Sequence, residues 1–201
     1  MCDKRLNIIL ASQSPRRREL LEQMGIRDFT VITPGADETL EEGVPPALQV
    51  ERQSRLKADA AAAQAGPGAL VIAADTVVTL DGSILGKPAG EEDAFRMLSA
   101  LSGRRHQVYT GVTVERDGLV LTRHETTKVR FRTLEPREIR DYIATGECMD
   151  KAGAYGIQGY GALLAQSIEG DYFNVVGLPI ACLAGMLKEF GIDCLRQAAD
   201  I

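Results

Sequence analysis

Residues 6–20, "LNIILASQSPRRREL", decide how the chain begins to fold. The apolar run 6–11 reads as a buried strand. It stops at Ser12, and Ser14 and Pro15 take the cap and first position of a helix, where a hydroxyl can accept an orphan N–H and proline lacks one to lose. Three arginines, Arg16, Arg17 and Arg18, follow at once. The positive end of the helix macrodipole lies there, so each exposed cation costs about 0.3–1 kcal/mol. Such crowding calls for an anion. A helix N-terminus directly after a strand, with Arg16 and the hydroxyls of Ser12 and Ser14 beside it, is an arrangement that receives a phosphate. Arg18 has a plainer reading, solvated and facing Glu22 one turn on.

Outward from this unit the same alternation continues. "FTVITPGADETLEEGVPP" (29–46) predicts a second short strand that runs into an acidic, proline-bounded loop, and 47–65 a long helix ended by Gly66, Pro67 and Gly68. "ALVIAADTVVTL" (69–80) is nearly continuously apolar, the mark of a strand buried on both faces, and Asp81-Gly82 turns it back. Ala94, Met97, Leu98 and Leu101 keep helical spacing within 91–103. Two strand-like runs flank Asp117-Gly118 between 106 and 134, with Val129 and Phe131 inward. A capped helix follows at 135–146, then a glycine-rich stretch and a last helix at about 179–190. Hairpins mixed with strand–helix units predict a mixed α/β sheet with helices packed around it.

A chain of 201 residues can bury one sizeable core, and we expect a single domain. With 45% apolar and 25% charged residues it is neither disordered nor fibrous. The net charge of −5 gives no general attraction to nucleic-acid polymers or anionic lipid, so anion binding must come from a local cluster. The four cysteines show no metal-ligand rhythm, the N-terminal apolar run is too short for an export signal or a membrane span, and reduced thiols in a cytoplasmic protein fit best.

Asp75 is the second point where chemistry gathers. An ionised carboxylate inside an apolar strand costs several kcal/mol if unpaired, so it must cap the strand end, face a cation or bind a metal. Thr76 beside it is a β-former or a ligand contact. Lys57, on the long helix, reads by itself as a surface lysine, whereas Lys87 sits in a rigid Gly86-Lys87-Pro88 bend that fixes where its ammonium points. The acids Asp37, Glu38, Glu41 and Glu42 form a solvated loop or lend a carboxylate to a divalent cation, since magnesium is held by one or two carboxylates plus substrate phosphates. The glycines between 153 and 161 allow close backbone approach but match neither GxGxxG nor a P-loop. Cations for phosphates and carboxylates for a metal and a base point to a nucleotide.

"LASQSPRRREL", "AADTVV", "LGKP", "HQVYTGV", "DKAGAYGIQG" and "GDYFNVVGLP", in this order, resemble the Maf family of nucleoside triphosphate pyrophosphatases over residues from about 9 to 180. The resemblance implies a single two-lobed α/β domain over 1–201, like the inosine triphosphate pyrophosphatases, with a long mixed β-sheet flanked by helices and a central cleft. It implies hydrolysis of a nucleoside triphosphate to the monophosphate and pyrophosphate with Mg2+ or Mn2+, and an association with septum formation. Asp75 falls on the family's general base, with Glu38 and Asp75 at the metal. Arg16, Thr76 and Gln158 fall on the positions that distinguish substrates, and Ser14, Lys57 and Lys87 on further substrate-binding positions, Lys57 and Lys87 facing phosphates with Arg16. The "AGAYGIQG" form is similar to the branch acting on dTTP and UTP. The alternatives are the branch acting on 7-methyl-GTP and a nucleotide-sensing regulator of division. Nucleic-acid polymers and membranes are not expected partners, and a homodimer stays open. Cys148 departs from the pattern, standing where many relatives have proline.

Overall fold

The computed structural model describes residues 6–33, 35, 39, 41 and 43–199, without the side chains of 197–199. Its strands are β1 (Ile8–Ala11), β2 (Phe29–Val31), β3 (Leu70–Leu80), β4 (Ser83–Leu85), β5 (Arg105–Arg116), β6 (Leu119–Phe131) and β7 (Ala165–Glu169). Its helices are α1 (Pro15–Gln23), α2 (Pro46–Ala65), α3 (Glu91–Leu101), α4 (Pro136–Ala144), α5 (Tyr172–Val176), α6 (Ile180–Glu189) and α7 (Cys194–Ala199). The seven strands make one mixed sheet in the order β2-β1-β3-β5-β6-β7, with β4 pairing β3, so the expected mixed α/β architecture is what forms. The chain gathers into two compact units. One takes the described residues up to Asp75, Thr110–Glu125 and those from Gly177 onward; the other takes Thr76–Tyr109 and Thr126–Val176.

The first unit is built on parallel pairing. β1 lies between β2 and β3, parallel to both, with Leu10 opposite Val31 on one side and Ile72 on the other. A strand hydrogen-bonded on both edges and covered on both faces must be apolar throughout, and all four residues of β1 are buried. Side chains alternate, so Ile9 and Ala11 share a face with Val71 and Ala73, their partners in register. That face meets Ala58 and Ala61 of α2. Alanine at each crossing lets the helix lie close to the sheet.

Helix α2 buries Gln49, Val50, Gln53, Ser54, Lys57, Ala58 and Ala61, a stripe at the i, i+4 repeat of one helical face. Its approach is closest at Gly111 of β5, where a Cβ would fall 2.2 Å from the Val50 carbonyl oxygen and 2.8 Å from the Glu51 nitrogen. Only a residue without a side chain fits. Farther along, Ser54 Oγ lies 2.9 Å from Thr113 Oγ1, so the few polar atoms of this contact satisfy one another.

The second unit contains the antiparallel elements. Asp81 (φ 50°) and Gly82 (φ 81°) form the two-residue turn between β3 and β4 expected from the sequence. Val129 and Phe131 are fully buried, again as the alternation predicts. Phe131, His106 and Tyr155 pack edge to face with ring centroids 4.7–5.3 Å apart, and His106 Nε2 lies 2.8 Å from the Tyr155 hydroxyl. Burial pushes the His106 imidazole down to about 4.

Three elements lie outside the sequence reading. β7 pairs antiparallel with β6 but exposes three of its five residues, so it lacks the alternation that announces a strand. α5 and α7 are short and owe their starts to aspartates: Asp171 Oδ1 accepts from the Phe173 N–H at 2.8 Å, and Asp193 Oδ1 from those of Leu195 and Arg196 at 3.2 and 3.3 Å.

Gly111→Ala must push α2 off the sheet, and we expect a loss of about 1–3 kcal/mol or more in urea denaturation, with no comparable loss for alanine at Gly35, where nothing crowds the new methyl. The low-lying His106 sets a pH dependence. Between about 6.5 and 4 the unfolded chain binds a proton that the native chain refuses, so stability is complete above the upper value and falls as pH drops through the window. The wild type should lose on the order of 2 kcal/mol more than His106→Gln between about pH 7 and pH 5, read from urea midpoints.

Candidate active site

In the first unit the parallel pairing of β1 with β2 and β3 stops at Val31, Ala11 and Ala73, and the space beyond such an edge is where open α/β sheets bind ligands. β1 ends in the turn to α1, β2 runs into the acidic loop, and β3 reaches Asp75. Ala11 pairs with Ala73, so Asp75 stands two residues beyond the last pair, on the face that α2 covers. Lys57 lies one turn before Ala61 on that helix. The result is an ion pair, Lys57 Nζ to Asp75 Oδ1 at 2.6 Å, with side chains only 10% and 15% exposed. The surface reading of Lys57 from the sequence alone is therefore overturned: the stripe that buries Ala58 and Ala61 carries the lysine inward, and its ammonium meets the aspartate.

The turn before α1 differs from expectation in one detail. Ser14 occupies the N-cap, but its side chain makes no capping hydrogen bond. Its backbone N–H instead donates to Ser12 Oγ at 3.3 Å, and Arg17 Nη1 donates to the same oxygen at 3.0 Å. Arg17 Nε also donates to the Gly177 carbonyl at 2.8 Å. Arg17 thus fastens the turn, a role its position in a run of three arginines could not reveal. Arg16 and Ser14 are half-buried at the helix start and Arg18 is exposed.

Glu38, Asp37 and Glu42 lie outside the described residues. Their neighbours are held from α2: Gln53 Nε2 donates to the Thr39 carbonyl at 3.0 Å, and Gln49 Oε1 accepts from the Glu41 N–H at 3.3 Å. Gln49, Gln53 and Lys57 recur every four residues, so one polar row of α2 serves both the acidic loop and Asp75. That row was legible as a pattern in the sequence, but a polar row ordinarily marks the solvent face. Gln53 Oε1 is buried without a hydrogen-bond partner among the described residues. Among the described residues no group of three or more His, Cys, Asp or Glu side chains could hold a metal. The donors that are present, the Asp75 carboxylate and the orphan amide oxygen of Gln53 on the Lys57 row, are hard oxygens of the kind magnesium or manganese takes.

The second unit holds Thr76, Lys87 and Gln158. Thr76 follows Asp75 in β3 and points to the opposite face by strand alternation; it is half-buried. Lys87 is exposed, in a bend whose Gly86 carbonyl accepts from the Gly153 N–H at 3.0 Å. Gly153 has φ 69°, and a Cβ there would strike Val78 at 2.9 Å. Gln158 is half-buried at the start of a short 3-10 turn, Gly159–Leu163. Cys148 is fully buried with its thiol pushed up by desolvation, and its carbonyl accepts from the Lys151 N–H at 3.2 Å. The turn at Lys151 thus forms with cysteine at this position.

A carboxylate braced by a lysine just beyond the last parallel pair, with an arginine-bearing helix start after the neighbouring strand, makes this an α/β protein equipped for phosphate chemistry. Comparison with known proteins makes the assignment specific. The chain belongs to the Maf family, whose model, described as Maf-like protein, matches residues 7–190. It is similar to a dTTP/UTP pyrophosphatase of Symbiobacterium thermophilum, 53% identical with 96% of this chain and 98% of the relative covered. It is also similar to one of Pelotomaculum thermopropionicum, 52% identical with 94% and 98% covered. Among solved structures it superposes partly on a HAM1 protein from Coxiella burnetii, with TM-score 0.45, 20% identity and 63% and 73% of the two chains covered. No helix among the described residues is long and apolar enough to cross a membrane.

Lys57→Met strands the Asp75 charge in a largely dry place. We expect a loss of about 2 kcal/mol, less than for a fully buried pair because both groups keep some contact with water. Adding Asp75→Asn should recover much of it, and a double-mutant cycle in urea would show the coupling; additive losses would mean that the pair contributes nothing as a pair.

Proposed function

We propose that this protein hydrolyses dTTP and UTP to the nucleoside monophosphate and pyrophosphate. The observation that carries the reading is the braced Asp75 just beyond the last parallel pair of β1 and β3, in a chain that matches dTTP/UTP pyrophosphatases over nearly its whole length. Asp75 orients a water and takes its proton as the water oxygen attacks the α-phosphorus in line. The bond from that phosphorus to the bridging oxygen breaks, and its electron pair leaves with pyrophosphate. Lys57 holds one carboxylate oxygen of Asp75 and so fixes the orientation of the base, and its positive charge favours phosphate beside the carboxylate.

Arg16 and Ser14 at the start of α1 take the phosphates, where the helix end favours negative charge. Lys87 adds a phosphate contact, and its bend is kept in place by Gly153. Thr76 and Gln158 discriminate the base; the Gln158 amide offers both a donor and an acceptor to a pyrimidine edge. Asp75 and Glu38 would hold magnesium or manganese, which neutralises charge on the phosphate oxygens when bound. The substrate is a free nucleotide, which suits a cytoplasmic protein and the modest negative charge of the chain.

Asp75→Asn keeps the size of the side chain and removes the base. Pyrophosphate release from dTTP and UTP should fall by about a thousandfold or more while nucleotide binding, followed by calorimetry, persists. Unchanged turnover would remove Asp75 from the base role. A substrate panel that includes 7-methyl-GTP decides the branch.

A further inference from the structure

The glycine-rich stretch after α4 folds around one carboxylate. Glu147 Oε1 accepts from the Tyr142 hydroxyl at 3.1 Å and from the Gly161 N–H at 3.0 Å, and Oε2 accepts from the Tyr160 N–H at 2.9 Å. The Tyr142 hydroxyl accepts in turn from the Gly156 N–H at 3.2 Å. Both flanks of Gln158 are thereby tied to the same two side chains. The chain also winds close: a Cβ at position 159 would fall 2.5 Å from Glu147 Oε2, and one at 161 would fall 2.0 Å from the Gly156 carbonyl oxygen. Gly159 (φ 61°) needs the left-handed conformation as well. The glycines of "GIQGYG" are thus explained by packing around Glu147, and the sequence reading, which looked for a ligand beside them, had no reason to see it.

We propose that Glu147 is a positioning residue for base selection, fixing the 156–161 loop so that Gln158 meets the base in one orientation. This rests on the reading of Gln158 given above. Hydrogen bonds from backbone N–H groups to a charged acceptor are among the stronger ones available, and two of them converge here from adjacent residues. The segment that carries Glu147 is anchored independently. Lys151 Nζ donates to the Glu147 carbonyl and pairs with Asp150 at 2.6 Å, and the Gly153 N–H holds Gly86. The carboxylate is therefore a fixed post and the loop is what it holds. An amide at 147 keeps one acceptor oxygen and turns an NH2 toward a backbone donor, so even Glu147→Gln frees one side of the loop.

The test uses the full chain with Glu147→Gln, Tyr142→Phe, Gln158→Ala and the double variant Glu147→Gln with Gln158→Ala. Three readouts are taken: kcat and KM for dTTP and dGTP, amide exchange at Tyr160 and Gly161, and thermal stability. Glu147→Gln should speed exchange at both amides and lower the dTTP-to-dGTP ratio of kcat/KM by about tenfold, mainly through KM for dTTP. Tyr142→Phe should give a smaller loss in the same direction, and it supplies the answer if Glu147→Gln does not fold. The double variant should be no less selective than Gln158→Ala alone. Faster exchange with unchanged selectivity, or a loss explained by stability alone, would overturn the proposal while leaving Gln158 its role if Gln158→Ala is unselective. If Gln158→Ala keeps full selectivity, the reading of Gln158 falls and the positioning role of Glu147 falls with it.

Discussion

An ammonium on a helix and a carboxylate on a strand, 2.6 Å apart, state the demand that the first unit meets. Neither charge is cheap to remove from water, so the helix must come close enough, in the right register, for each to find the other. Ala58 and Ala61 against Ala11, Val71 and Ala73 bring α2 down to the sheet, and Gly111 lets the backbone at Val50 come closer than any side chain would allow. A bulkier residue at these crossings would lift Lys57 away from Asp75. The packing is therefore part of the chemistry: small residues several turns apart set the geometry of one pair.

The same helix governs what surrounds the pair. Gln53 and Gln49 continue the row of Lys57 and fix the backbone of the acidic loop at Thr39 and Glu41. At the start of α1, after the adjacent strand β1, Arg17 gathers Ser12 and the Gly177 carbonyl and so sets the turn from which Arg16 and Ser14 arise. The opening arginines divide their labour. Arg17 is spent on the scaffold, Arg18 faces solvent, and Arg16 is the one that the phosphate argument needs. A cluster that looks uniform in sequence is resolved by the direction in which each position of a helix points.

In the second unit the governing feature is a loop with little side-chain mass of its own. Glycine after glycine cannot build a core, and order there comes from backbone hydrogen bonds to Glu147 and Tyr142 and from Gly153 seated on Val78. Nearby, His106, Phe131 and Tyr155 make a dry aromatic cluster that keeps the imidazole neutral. A glycine-rich loop held in this way can be ordered without side-chain mass of its own.

Much of this was present in the sequence. Alternation and helical spacing determine the mixed α/β class, the inward faces of β6 and α3 and the two-residue turn at Asp81-Gly82, because these depend on neighbours three or four residues away. The motifs determine the family. The tertiary structure alone decided that Lys57 faces inward, that Gly111 serves a helix from another part of the chain, that Arg17 rather than Ser14 secures the first turn, and that Glu147 organises the glycines. Each of these depends on a partner between 5 and 160 residues away whose approach is set by packing or by a long side chain reaching backbone. A polar or small residue has the same local signature whether it faces water or a distant backbone, and only the folded chain distinguishes the two.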